Sequence, residues 1–367
     1  MEKVATIIRW LVGTVFIASG LVKANDPLGL SYKMQEFFEV WHTPFLNAFS
    51  LPLAIGMNTA EIVAGVALLV LWQPKKIIQF LLLLTVFFTF LTGYAYLSGQ
   101  FKSCGCFGDC LPLTPLASFL KDVVLLILLG LLLSWYKNSP NKAAKLPFYT
   151  TLLAAAATLG LQAYTLRYLP IVDCLPYKVG NNIAEQMKIP AGAIPDSFAI
   201  SFQYKKQGKL VEFGMDDFPA DFDDSIYTFV NRYDKLIRKG TAQAAIADFA
   251  LLSLQRTDTT VAILNQPQPY ILVLVKQPET RSSWIDKNFI ELQKVAATKN
   301  IPLLVVTHHP EAVAKVWNKP NQVLIADYTV LKTFGRTNTT FVYMRQGTIV
   351  AKTSQHRLGA FLEAIQN

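Results

Sequence analysis

Five long apolar segments constrain the fold of this chain more than any other feature. They occupy residues 7–22, 48–72, 77–97, 116–135 and 148–166 of the 367 residues. A helix of roughly 20 mostly apolar residues crosses a hydrocarbon core, and the five segments approach or exceed that length. Charged residues make up only 16% of the chain, whereas about a quarter is typical of soluble proteins. The sequence therefore predicts an all-α membrane bundle, with a four-helix core and a fifth helix, followed by a soluble α/β domain.

Basic residues near the ends of these segments predict how the chain is oriented. Seven lie on one side of the predicted bundle and three on the other: Lys3, Arg9, Lys75, Lys76, Lys137, Lys142 and Lys145 against Lys23, Lys33 and Lys102. Cytoplasmic loops carry the excess of Lys and Arg, so we expect a cytoplasmic N-terminus and a periplasmic C-terminal domain in a bacterial inner membrane. This orientation and contact with the lipid bilayer explain the net charge of +9. The sequence has no basic stripe with interleaved aromatic residues that would indicate nucleic-acid binding.

All four cysteines fall on the predicted periplasmic side. Cys104, Cys106 and Cys110 lie within seven residues in the loop before the fourth span, and Cys174 follows the last span. Both segments leave the membrane on the same face, so Cys174 can reach the loop. Four cysteines permit three complete pairings, and the sequence does not select one. Structural disulfides and a redox-active exchange site both stay open, whereas the spacings differ from the usual cysteine pairs of zinc sites.

The second span contains two polar residues at a spacing that puts them on one helical face. Asn58 and Glu61 are three residues apart, and a carboxylate at this depth is costly unless it faces the bundle or a partner. We expect Glu61, with Asn58, to accept a proton or to hydrogen-bond a quinone-like ligand. The alternative is a structural ion pair of Glu61 with Lys23 or Lys121.

The soluble part alternates strands and helices over residues 270–327 and ends with a hairpin and a closing helix. This order resembles a thioredoxin-like or peroxiredoxin-like fold. The usual Cys-x-x-Cys would fall at residues 282–285 and the usual proline at Thr339, yet no cysteine follows Cys174. We therefore expect no thiol exchange from this domain. Its expected role is binding or docking, and the alternative is that it only shields the cysteine loop. Before this domain, residues 226–239 are predicted to form a helix.

Two motifs give the membrane part a family resemblance. The first resembles the opening helix of DoxX-like proteins and reads, from Arg9, R-W-L-V-G-T-V-F-I-A-S-G-L-V-K-A-N-D-P-L-G. The second resembles the MauE family, named for methylamine utilisation, and reads C-G-C-F-G-D from Cys104, before an L-T-P helix start. The resemblance covers roughly residues 5–137. With the fifth helix and the extra domain, the whole layout resembles DoxX-like proteins of Bacteroidetes.

This resemblance implies a four-helix membrane bundle linked to periplasmic disulfide chemistry. In the MauE family that chemistry belongs to the maturation of methylamine dehydrogenase, and the bundle is similar to that of quinone-coupled disulfide-forming enzymes. We therefore expect a membrane thiol–disulfide oxidoreductase in which Cys104 and Cys106 are the active pair and Cys110 and Cys174 are resolving or structural thiols. The cofactor implied is a quinone, and no metal is expected. Nothing in the sequence indicates methylamine as a substrate.

The expected organisation has four regions. They are a bundle with an external cysteine loop (1–137), a fifth helix (138–168), a connector with a small α+β region (169–250) and a degenerate thioredoxin-like domain (251–367). The expected function is an inner-membrane thiol–disulfide or quinone-linked redox component in the maturation or disulfide handling of envelope proteins. The alternative is a non-enzymatic scaffold with structural disulfides, whose redox-dead domain binds envelope proteins through residues 179–367.

Overall fold

The structure is a computed structural model in which two compact units are recognised. It describes residues 2–101, 105–137, 145–194, 197–206, 209–214, 218–219, 222–223, 226–238, 240, 244–278 and 284–366. One unit combines Met1–Gly180 with Ala250–Asn367, and the other is Asn181–Phe249. The first unit therefore contains both the membrane part and the C-terminal domain.

Within the described ranges, the membrane part contains six α-helices. They are α1 (Glu2–Asn25), α2 (Pro27–Val40), α3 (Ser50–Leu69), α4 (Pro74–Ser98), α5 (Pro115–Tyr136) and α6 (Lys145–Tyr168). A 3₁₀ helix, Pro44–Phe49, precedes α3 and continues into it. Within the described ranges, five helices are long and apolar enough to cross a membrane, namely all except α2. This confirms the predicted helical membrane part.

Helix starts and close packing in this part follow from local sequence. Proline occupies the first turn of α2, α4 and α5, where its missing N–H costs nothing. Helices α1 and α3 approach closely at Gly13 and Gly65, because a Cβ atom on Gly65 would lie 2.9 Å from the Gly13 carbonyl oxygen. Small residues at such a crossing let two membrane helices pack backbone to backbone.

The second unit, Asn181–Phe249, is a small antiparallel sheet preceded by one helical turn. Its elements are α7 (Ile183–Gln186), β1 (Ser197–Lys206), β2 (Lys209–Gly214) and β3 (Tyr227–Arg238), with the strand order β2-β1-β3. The predicted helix at residues 226–239 is wrong, because this segment is β3. Its opening run Y-T-F-V is aromatic and β-branched, which favours a strand. The Tyr204 ring packs against Phe213 and Phe222 on this sheet.

The C-terminal domain of the first unit is built on a five-stranded mixed sheet. Its elements are α8 (Thr260–Leu264), β4 (Tyr270–Val275), α9 (Lys287–Thr298), β5 (Leu303–Thr307), α10 (Pro310–Ala314), β6 (Val323–Ile325), α11 (Tyr328–Phe334), β7 (Thr339–Arg345), β8 (Thr348–Ser354) and α12 (Gly359–Gln366). The strand order is β6-β5-β4-β7-β8, with β4, β5 and β6 parallel and β7 and β8 antiparallel. This confirms the thioredoxin-like α/β fold.

A continuous apolar core holds this domain together. The strand β4 is buried along its whole length, as expected for the central strand of a sheet covered on both faces. Trp284, Phe289 and Phe341 are fully buried beside it. The predicted position of the missing Cys-x-x-Cys begins at Ser282 and Ser283, which lie outside the described residues, while Trp284 is core. Thr339, at the position of the usual proline, begins β7 and is buried.

Candidate functional site

The cysteine loop connects α4 and α5. Cys104 lies outside the described residues. Cys110 forms a disulfide with Cys174, which ties the loop to the segment after α6. Cys106 is a free, half-buried thiol that packs against the cluster of Phe37, Ala95 and Phe101. Of the pairings that the sequence left open, the structure thus contains the bond between Cys110 and Cys174.

Two glycines shape the turn that presents Cys106. Gly105 and Gly108 have positive φ angles of 69° and 57°, a region that other residues rarely adopt. The Gly108 N–H donates to the Gly105 carbonyl at 3.0 Å and closes the turn. Side chains at these positions would strain the backbone. The glycines therefore fix where the Cys106 side chain lies.

Cys106 forms part of the wall of a cavity inside the membrane bundle. The cavity lies between α1, α2, α3, α4, α5 and the cysteine loop, and its volume is about 50 Å³. Apolar and aromatic side chains form most of its surface, among them Phe16, Met34, Phe37, Phe88, Leu91 and Leu125. The polar side chains in its wall are Ser19, Lys23, Lys33, Glu61, Thr85, Thr92, Lys121 and Asp122, besides the Cys106 thiol.

The polar part of the cavity wall includes an ion pair between two transmembrane helices. Lys23 of α1 and Glu61 of α3 form this pair and are almost completely buried. Ser19 Oγ lies 3.0 Å from Glu61 Oε2 and 2.9 Å from the Cys106 carbonyl oxygen, so its single proton can be donated to either. Ser19 therefore links the buried ion pair to the cysteine loop.

A second ion pair stands on the opposite wall, on α5. Lys121 Nζ lies 2.6 Å from Asp122 Oδ1, and Thr92 of α4 donates to Asp122 Oδ2 at 3.1 Å. The Lys121 ammonium also lies over the ring of Phe107, 5.3 Å from its centroid. Sequence reasoning missed Asp122 and Ser19. The signal for Asp122 was available, because a carboxylate within an apolar span is itself a functional hypothesis.

The two intramembrane residues singled out in the sequence lie in different surroundings. Glu61 reaches the cavity, whereas Asn58 points to the fifth helix, where its Nδ2 donates to Gln162 Oε1 at 3.1 Å. Gln162 Nε2 in turn donates to Thr59 Oγ1 at 3.0 Å. Asn58 is not in the wall of the cavity. The structure thus brings Glu61 and Cys106 together and places Asn58 in the contact between α3 and α6.

The surroundings of Cys106 decide its protonation state. Burial raises the pKa of the Cys106 thiol above its ordinary value, and the positive charge of Lys121 opposes this shift. The thiol is therefore protonated at neutral pH. Because the thiolate is the nucleophile in exchange reactions, a reaction at Cys106 requires that this proton leave or that the loop become more exposed.

Known proteins resemble separate parts of this chain. Residues 1–136 match the family model of methylamine utilisation protein MauE, and residues 198–239 match a domain of unknown function, DUF8463. Protein TlpB of Flavobacterium psychrophilum is 28% identical over 173 residues, which cover 43% of this chain and 45% of that relative. The chain thus spans less than half of the relative's length, and no solved structure matches it. The likeness to DoxX-like proteins of Bacteroidetes stays a prediction, whereas the resemblance to the MauE family is confirmed for residues 1–136.

Proposed function

We propose that the protein is an inner-membrane thiol–disulfide or quinone-linked redox component that acts on the periplasmic side in the maturation or disulfide handling of envelope proteins. One observation carries this proposal most strongly. The free thiol of Cys106 lies in the wall of a cavity, within a MauE-like bundle, that also contains one buried and one partly exposed ion pair. The positive-inside pattern of the loops supports the proposed orientation.

In the proposed reaction Cys104 and Cys106 alternate between a disulfide and two thiols. A thiolate of the client protein attacks one sulfur of the disulfide, and the other cysteine leaves as a thiolate that takes up a proton. The second client thiolate then attacks the mixed disulfide. The client gains a disulfide, while Cys104 and Cys106 gain two electrons and two protons. Cys110 and Cys174 hold the loop in place through their own disulfide.

The wall of the cavity has the chemistry that a flat, lipid-soluble acceptor such as a quinone would need. Binding sites of this kind are mostly apolar and contain a few converging polar groups, as this cavity does. A bound quinone supplies a sink for two electrons and two protons. The rings of Phe37 and Phe88 would hold such a ligand, and Glu61 and Asp122 would hold protons that leave the thiols. Asn58 would fix α3 against the fifth helix through Gln162 and so support Glu61.

The proposal is tested with the purified full chain in lipid nanodiscs. A reduced dithiol peptide and a short-chain quinone are added, and loss of peptide thiols is followed with a colorimetric thiol reagent. We expect quinone-dependent oxidation by the natural chain and only the background rate of empty nanodiscs for Cys106→Ser. The control Ser134→Ala changes an exposed side chain on α5 and should oxidise at the natural rate.

The alternative function is a membrane scaffold with structural disulfides. The bond between Cys110 and Cys174, which joins two segments 64 residues apart, favours it. A natural chain that oxidises no peptide with any quinone, together with a Cys106→Ser variant that is less stable to heat, would support the scaffold and reject the redox proposal.

A further inference from the structure

The thioredoxin-like domain has no cysteine, yet three basic residues near the end of its sheet where the active site would fall contact the membrane part. Lys276 follows β4, Lys332 lies on α11 and Arg336 precedes β7. Lys276 Nζ lies 3.4 Å from Tyr32 Oη, and Lys332 Nζ donates to Gln35 Oε1 at 3.2 Å. These partners lie on α2, directly after the first span. This end of the sheet therefore contacts the chain's own membrane part.

Arg336 makes the strongest of these contacts. Its Nε donates to Asp26 Oδ2 at 2.7 Å, and its Nη2 donates to Asp109 Oδ2 at 2.7 Å. Only 4% of the side chain is exposed. Asp26 lies between α1 and α2, and Asp109 lies in the cysteine loop. The planar fork of one guanidinium thus joins two carboxylates from separate segments, which a lysine could not do with the same geometry.

The two carboxylates come together at a place that has room for them. A Cβ atom on Gly29 would lie 2.9 Å from Asp26 Oδ2 and 3.4 Å from Asp109 Oδ2. Asp26 also caps α2 by accepting the Gly29 N–H at 3.1 Å. Burial lowers the pKa of Arg336, but Asp26 and Asp109 outweigh this and raise it above its ordinary value, so the guanidinium keeps its charge. Without it, two negative groups would repel each other.

Asp109 connects this contact to the reactive segment. It immediately precedes Cys110 and follows Cys106 by three residues. The turn from Gly105 to Gly108, which is closed by a hydrogen bond between these two glycines, connects Asp109 to Cys106. The loop is also attached at the Cys106 carbonyl through Ser19 and at Cys110 through the disulfide. Arg336 adds an attachment that comes from the soluble domain.

We propose that Arg336 is a positioning residue for Cys106: the redox-dead domain acts within its own chain to hold the cysteine loop closed over the cavity. This inference rests on the proposed function for its biological purpose, but its physical content concerns only how Arg336 controls the exposure of Cys106. The end of the sheet at which a thiol-exchange domain would carry its active site here holds a cysteine loop in another part of the chain.

The test measures the reactivity of Cys106 in the full chain. In a Cys104→Ser background, with the bond between Cys110 and Cys174 intact, Cys106 is the one free thiol. Its alkylation by N-ethylmaleimide in nanodiscs is followed by mass spectrometry from about pH 6 to about pH 10. We expect Arg336→Met to raise the rate about tenfold or more, since a buried partner of two charges is lost. The midpoint of the pH profile should fall, because burial is what raises the pKa of Cys106.

Further variants separate positioning from a general loss of stability. Arg336→Lys should rescue part of the effect, and Asp109→Asn should act in the same direction as Arg336→Met without adding to it. Arg345→Met removes an exposed arginine at the far end of β7 and should change neither quantity. An unchanged rate and midpoint in both Arg336→Met and Asp109→Asn would overturn the proposal, as would an equal change in Arg345→Met. Alkylation needs no redox cycle, so this result can be interpreted even if the proposed redox function is wrong.

Discussion

Two lysines, one in the membrane bundle and one in the thioredoxin-like domain, show how differently the two regions bury charge. Lys23 on α1 has 3% of its side chain exposed, and Lys276 after β4 is 7% exposed. Lys23 forms an ion pair with Glu61. Lys276 faces the hydroxyl group of Tyr32, and no carboxylate in the described ranges forms an ion pair with it.

The difference shows that burial has two outcomes for a charged group. Lys23 and Glu61 each have a partner of opposite charge and remain an ion pair. Removing only one of the two residues is costly. Without such a partner, burial, aided by the nearby Arg336, lowers the pKa of Lys276 to about 7. The stability of the membrane bundle therefore depends on keeping both members of an ion pair. The stability of the soluble domain depends on pH through the protonation of a single lysine.

The largest expected effect comes from breaking the pair in the bundle. Glu61→Leu or Lys23→Met alone should each lower the free energy of unfolding by about 3–5 kcal/mol, because each leaves a buried charge unpaired. The double variant should recover most of that loss. The measurement is the midpoint of thermal unfolding in detergent, read by the fraction of monodisperse protein.

A double-mutant cycle on a surface ion pair provides the control for this result. Glu185 and Lys188 form an exposed ion pair at the end of α7, with Lys188 Nζ and Glu185 Oε1 2.6 Å apart. Their single and double substitutions should change stability by less than about 1 kcal/mol. The comparison breaks down if the double variant of Lys23 and Glu61 is as unstable as the worse single variant.

The second effect is the pH dependence that Lys276 adds to the soluble domain. Between about pH 7 and the ordinary lysine pKa of 10.5, the unfolded chain binds a proton on this lysine that the folded protein lacks. The free energy of unfolding should therefore rise with pH across this window, by at most about 1.4 kcal/mol per unit. Below the window both states are protonated and the dependence ends. Lys276→Met should flatten the slope and be more stable than the natural chain at about pH 6.

This dependence is checked by thermal unfolding at several pH values, with Lys294→Met as the control. Lys294 is an exposed lysine on α9 of the same domain, so its loss should leave the slope unchanged. Equal slopes for the natural chain and Lys276→Met would show that the amine keeps its charge, and the contrast with Lys23 would be lost.

Much of this architecture follows from local sequence signals. The membrane helices are set by the length of apolar runs, and the thioredoxin-like sheet by alternating strands and helices. The helix predicted at residues 226–239 is wrong because the run Y-T-F-V is aromatic and β-branched, and such residues favour a strand. Short elements such as α11, with seven residues, carry too little periodicity to be predicted.

The site depends more on contacts between distant segments. Glu61 can be singled out because a carboxylate in an apolar span needs a partner, and Lys23 is one of the two partners that the sequence predicts for it. The contacts of Arg336 could not be predicted, since 310 residues separate it from Asp26 and 227 from Asp109. The predicted orientation brings Cys174 to the cysteine loop, but the sequence does not select Cys110 as its partner.

The smallest effect concerns Ser19, the hydroxyl between the ion pair of the bundle and the cysteine loop. Ser19→Ala removes one hydrogen bond to Glu61 or to the Cys106 carbonyl and should cost about 1 kcal/mol. If that energy helps to hold the loop closed, alkylation of Cys106 in the Cys104→Ser background should become about fivefold faster. Ser134→Ala, the same change at an exposed site on α5, should have no effect on the rate. A Cys106 rate that responds to Arg336 but not to Ser19 would mean that the loop is held from the soluble side alone, and that the buried pair of Lys23 and Glu61 stabilises the bundle without controlling the thiol.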